Sequence, residues 1–116
     1  MPQLDWNISI VPSGTEAAFQ PNLPGAKPGD PLNAQQSDIV SWGNRTDGVH
    51  QPWPTVSNLP DGGPAPPPAT GLSDPIPPND SSRPQFVVPG KPGDTIYYCC
   101  FYHPTERGQI NVVSPF

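Results

Sequence analysis

Basic residues are scarce in this 116-residue chain: five Lys and Arg stand singly against ten acidic residues, for a formal net charge of −5. No basic stripe exists to follow a phosphate backbone, which excludes nucleic acid as a partner. No apolar run approaches the roughly 20 residues that a membrane-spanning helix needs. Glutamate is limited to Glu16 and Glu106, histidine to His50 and His103, cysteine to Cys99 and Cys100, and methionine to Met1. What the chain has instead is 21 Pro and 11 Gly, residues that break helix interiors and exclude a helical bundle or coiled coil. Such a Pro and Gly content also suits a disordered chain. Aromatics at 9% are nevertheless enough to seed a core. The class expected is a small all-β domain with long, proline-stiffened loops.

Met1-Pro2-Gln3 leads straight into Asp5 without the pattern of a secretory leader. That suits a cytosolic protein, or a mature or excised domain whose export sequence was removed. The cysteine count does not decide between them. Cys99 and Cys100 are adjacent, and a vicinal disulfide strains the intervening peptide while stapling no loop. Reduced thiols with separate roles are expected.

Leu4 to Val11 alternates with Leu4, Trp6, Ile8 and Ile10 on one face, the period of a half-buried strand. Residues 12–37 read as loop apart from a short strand near Ala17–Phe19. Asp38 to Asn44 reads as a second strand. Residues 60–84 hold nine prolines in 25 positions and read as an extended, polyproline-like surface loop. Too little chain flanks them for two cores. Gln85–Val88 is a short strand, Gly90–Asp94 a turn, and Thr95–Phe101 and Gly108–Val113 the last two strands. Trp42 and Tyr98 are assigned to the core of a sandwich of two sheets.

The chemistry-bearing residues gather near the C-terminus. In YCCFYHPTERGQINV (Tyr98–Val112), Cys100, His103 and Glu106 stand three residues apart. A thiolate at a strand end and an imidazole on the next tight turn can converge on one ion, with Pro104 stiffening the turn. His50 lies in VSWGNRTDGVHQP (Val40–Pro52), just past the second strand. Two imidazoles and a thiolate in a trigonal set, with a weak axial group, are the ligands of an electron-transfer copper site. Plainer readings stand beside this one. A lone Cys is most often an inert buried hydrophobe, and a lone His is usually a surface or core residue. Cys-x2-His also occurs in zinc sites, which normally bring a second pair at matching spacing. On a strand, Cys99 points away from the face of Cys100, and its default role is a buried structural thiol. No Gly-rich phosphate loop is present, and Cys100 and His103 on one hairpin are poorly disposed for hydrolysis. No Asp/Glu pair suited to glycoside hydrolysis can be picked out.

The two segments resemble the copper-binding segments of the cupredoxins, the small blue copper proteins, and among them the amicyanin and plastocyanin group. That family has a V-x-W-x-N strand before a ligand His. Here Val40, Trp42 and Asn44 fill the strand, and His50 follows eight residues after the Trp. The family then has Y-x-C-x2-H-P-x-M-x-G and a closing strand. Tyr98, Cys100, His103, Pro104 and Gly108 match it, and Gln109–Val113 supplies the strand. The turn Gly93-Asp94-Thr95 also fits, and the resemblance covers about half of the chain.

The resemblance implies a cupredoxin-like Greek-key β-sandwich, one domain over 1–116 with 60–84 as a Pro-rich insertion. It implies one copper ion on His50, Cys100 and His103, cycling between Cu(II) and Cu(I) in one-electron transfer rather than enzymatic turnover. His103 would be the surface edge, rimmed by Pro104 and Trp53, where redox partner proteins dock on a monomer. A periplasmic or extracellular location would follow, with the export signal absent from this sequence.

Two positions depart from the family pattern. Glu106 replaces the axial Met, a hard anionic donor in place of a soft neutral one, which favours Cu(II), lowers the potential and moves the site toward red-copper geometry. Protonating Glu106 would remove its bond. Gln51 replaces the Asn that follows the first His. Its backbone N–H can still reach the Cys100 sulfur and tune the potential, while its longer side chain ties the ligand loops less firmly. Two alternatives remain at this level: a copper-binding or storage protein without a redox partner, and a red-copper site resembling that of nitrosocyanin, with an open position for a small ligand.

Overall fold

The structure is a computed structural model that describes residues 3–115. The alternating N-terminal run forms β1 (Asp5–Ser13), with Ile8 and Ile10 buried. Leu4, expected on the same face, precedes the strand and stays exposed. A two-residue loop, Gly14-Thr15, returns the chain into β2 (Glu16–Pro21), longer than the strand expected around residues 17–19. Gly14 takes φ +63° there, a left-handed value that glycine adopts without steric cost.

Next come β3 (Leu32–Gln35), β4 (Ile39–Asn44), β5 (Pro52–Pro54), β6 (Phe86–Val87), β7 (Thr95–Cys100) and β8 (Arg107–Val113). The strand β3 corrects the reading of 12–37 as loop outside residues 17–19. Its Leu32 and Ala34 are buried and it pairs in parallel with β8. The strand β5 was also unforeseen, because proline cannot donate to a ladder. It sits at a sheet edge, where that loss is tolerated.

One sheet runs β2-β1-β4-β6 and the other β3-β8-β7-β5. Ile8, Ile10, Phe19, Val40 and Trp42 from the first pack with Leu32, Ala34, Tyr98, Ile110 and Val112 from the second. Trp42 and Tyr98 are both fully buried, as expected for core residues. Trp42 Nε1–H donates to the Tyr98 hydroxyl at 3.2 Å, and the rings meet edge to face at 5.5 Å. That contact partners the indole N–H and the phenol oxygen inside an apolar core.

Residues 60–84 form the expected strand-free and mostly exposed loop, but it is anchored at a few points. The prolines do prevent regular strands, yet Leu72 and Ile76 are buried in the core cluster and Ser73 and Ser82 are also covered. Isolated bridges tie His50 to Ile76, Gly43 to Ser81 and Thr55 to Pro64. The apolar residues between the prolines anchor the insertion against the sandwich. Among the described residues, no helix is long and apolar enough to cross a membrane.

Candidate metal centre

Cys100 is the last residue of β7, and the chain turns back into β8 within six residues. Three backbone hydrogen bonds shape that turn: His103 N–H to Cys100 O (3.2 Å), Glu106 N–H to His103 O (2.9 Å) and Cys100 N–H to Glu106 O (2.9 Å). The spacing of three thus corresponds to two successive tight turns closed into a loop. The side chains of Cys100, His103 and Glu106 point to a common centre. The loop after β4 delivers His50 to the same place. Asn44 Nδ2–H donates to Gly48 O and Ile76 O, and Asn44 Oδ1 accepts from Thr46. Asn44 therefore shapes the approach to His50.

The two ligand loops are joined directly by Phe101 N–H donating to Gln51 O at 2.9 Å. The Gln51 side chain turns the other way and donates to Ser73 O at 3.0 Å, so it ties the His50 loop to the Pro-rich insertion. Gly71 makes room for that contact. A Cβ there would stand 2.7 Å from Gln51 Nε2 and 2.6 Å from Ser73 O.

Four donor atoms, one each from His50, Cys100, His103 and Glu106, lie within 4.8 Å of one another. Cys100 Sγ is 3.5 Å from both His50 Nδ1 and His103 Nδ1. Glu106 Oε1 is 3.0 Å from His50 Nδ1 and 3.5 Å from His103 Nδ1. Despite these distances, Oε1 is a buried oxygen that makes no hydrogen bond of good geometry among the described residues. Buried polar atoms are seldom left unpaired. Metal bonds of roughly 2.0–2.3 Å to N, S and O donors place those donors at spacings of this kind. The four atoms are close enough to hold one cation, and two imidazoles, a thiolate and a carboxylate are a donor set that fits copper.

The surroundings favour ligation. Burial holds the His50 imidazolium below its ordinary range, outweighing the Glu106 carboxylate beside it, which leaves a neutral ring with a free lone pair. Burial pushes the Cys100 thiol up, and the Glu106 carboxylate adds to that. Backbone N–H groups of Gln51, Tyr102 and His103 act in the opposite sense. A metal bound here would take Cys100 as the thiolate, since a ligating thiol must give up its proton.

His50, Cys100 and Glu106 are buried, whereas the His103 side chain is 48% exposed. Beside it in sequence Phe101, Tyr102 and Pro104 are exposed, and the Trp53 ring packs against Phe101 at a tilt of 47° with centroids 4.6 Å apart. Cys99 is buried on the other side of β7, opposite Trp53 and Arg107 in register, and both cysteines are free. A cavity of about 280 Å³ opens beside His50, His103 and Glu106, walled by Glu16, Ala17 and Asp47. Sequence reasoning missed the contribution of β2. Ala17 N–H donates to Glu106 Oε2 at 2.8 Å, and a main-chain donor leaves no mark in residue type.

No protein-family model matches the chain, and no curated protein matches it. Among solved structures, a variant of amicyanin in its reduced Cu(I) form at pH 4 is 19% identical, with TM-score 0.57 over 97% of this chain and 83% of that one. A second amicyanin variant in its Cu(I) form is 21% identical, with TM-score 0.55 over 91% and 81%. A purple cupredoxin from Nitrosopumilus maritimus is 18% identical, with TM-score 0.60 over 91% and 97%. At these identities the likeness is one of fold, and the chain has the cupredoxin fold, a Greek-key β-sandwich.

Proposed function

We propose that this chain binds one copper ion through His50, Cys100, His103 and Glu106 and carries single electrons between larger redox partners. The observation that carries the reading is the convergence of four donors within 4.8 Å, one of them a buried carboxylate oxygen without a hydrogen bond. Copper on such a set supplies a one-electron couple between Cu(II) and Cu(I). The chain's own contribution is to hold the donors. The closed turn from Cys100 to Glu106 and the Phe101–Gln51 backbone bond leave little room for the ligand loops to move. His103 is the exposed edge, and partner proteins would dock on the apolar surface formed by Phe101, Tyr102 and Pro104. The carboxylate of Glu106 favours the oxidised ion, so the potential lies below that of a site with an axial thioether.

A second reading is favoured by the cavity beside the donors. A small molecule entering there would approach from the side of His50, His103 and Glu106, which suits a red-copper site with an open position. Titrating the metal-free protein with Cu(II) tests the main reading. An intense visible thiolate band, saturating at one equivalent and absent in Cys100→Ser, supports it; no such band overturns it. A band that shifts on adding a small exogenous ligand favours the second reading.

A further inference from the structure

We propose that the β1–β2 hairpin is the positioning device for Glu106: the Ala17 N–H captures Oε2, so the carboxylate offers a metal only Oε1. The proposal rests on reading Glu106 as a ligand.

Ser13 and Glu16 close the hairpin around Gly14-Thr15, and Pro12 is the next partner, opposite Ala17. Antiparallel pairs alternate between hydrogen-bonded and non-hydrogen-bonded. With Ser13 and Glu16 as the closing hydrogen-bonded pair, Ala17 directs its N–H away from β1. Because β2 is an edge strand, that N–H has no ladder partner, and Glu106 Oε2 takes it at 2.8 Å. The site therefore gains a fixed donor on one carboxylate oxygen while the other faces both Nδ1 atoms without a hydrogen bond. A further contact holds the two parts together: Thr105 Oγ1–H donates to Glu16 Oε1 at 2.5 Å, linking the residue before Glu106 to the residue before Ala17.

A main-chain N–H donor cannot become an acceptor. In Glu106→Gln the Ala17 N–H must still be met, so the amide oxygen goes to Ala17. The NH2 then faces the imidazoles, where it has no lone pair to offer a metal. The isosteric Gln should therefore behave as a non-ligand. Removing the Ala17 N–H frees the amide to rotate and present its oxygen.

The test uses copper-loaded wild type, Glu106→Leu, Glu106→Gln, Ala17→Pro and the Ala17→Pro/Glu106→Gln double variant, read by absorption and paramagnetic resonance. The expected result is that Glu106→Gln gives the spectrum of Glu106→Leu, and that the double variant departs from it. A Glu106→Gln spectrum distinct from that of Glu106→Leu, and unchanged by Ala17→Pro, overturns the proposal. If Glu106→Leu matches wild type, the ligand reading of Glu106 has failed instead. Should Ala17→Pro not fold, the metal-free wild type serves. Its Ala17 amide proton should be shifted downfield and slow to exchange, and both properties should be lost in Glu106→Leu. An Ala17 amide indifferent to that change overturns the proposal.

Discussion

His50 and Ile76 are joined by reciprocal backbone hydrogen bonds, His50 N–H to Ile76 O at 3.2 Å and Ile76 N–H to His50 O at 2.8 Å. The first imidazole of the candidate centre is thus held by a residue of the Pro-rich insertion, whose side chain is itself buried in the core. Ile76→Ala leaves the backbone pair but removes the anchor behind it. It should cost about 2–4 kcal/mol by loss of buried apolar volume. Urea unfolding measures that loss, and faster copper release to a chelator would report the loosened His50.

Gly108 packs closely against the Tyr98 side chain, and a Cβ at that position would overlap the ring carbons and hydroxyl. Gly108→Ala should therefore destabilise by roughly 1–3 kcal/mol through overpacking. Calorimetry checks this, with the Trp42–Tyr98 contact as the structure expected to shift.

Asp38 is a buried carboxylate that accepts hydrogen bonds from Leu4 N–H, Trp6 Nε1–H and Gln35 N–H at 2.8–3.0 Å. Burial pushes its pKa up, but the three donors together outweigh it and hold it below the ordinary 3.8. A depressed carboxylate stabilises the fold fully above its unfolded pKa, and that contribution fades as pH falls through the lower folded value. Asp38→Asn should cost roughly 3 kcal/mol at pH 7, since one of the donors then faces an NH2. The gap between variant and wild type in urea unfolding should be full at pH 7 and narrow below about pH 3.8.

Cys99 and Cys100 should separate cleanly. Cys99 is buried but outside the donor cluster, so Cys99→Ser should keep the copper spectrum. It should lose about 1–3 kcal/mol for an unpaired buried hydroxyl. Cys100→Ser should lose the thiolate band. Comparing the two spectra at equal copper loading decides the matter.

The residues of the candidate centre were legible because they are scarce: both histidines and one each of two cysteines and two glutamates fall in two ordered segments. The strands β1, β4, β7 and β8 were legible from alternation and β-rich composition. The strand β3 was not, since Leu-Asn-Ala-Gln has no β-branched residue and its pairing with β8 joins distant parts of the chain. Burial of Ile76 was hidden by its prolines, which signal surface loop whether or not the residues between them pack. Glu106 illustrates both sides. Its place in the cluster follows from spacing, while the partner of its second oxygen is a backbone N–H from the other end of the sequence.

A copper–thiolate centre built on the four converging donors is tested directly by titrating the metal-free protein with Cu(II) and following visible absorption. An intense charge-transfer band should appear, saturate at one copper per chain and disappear in Cys100→Ser. Copper uptake without that band, or the same band in Cys100→Ser, would contradict it.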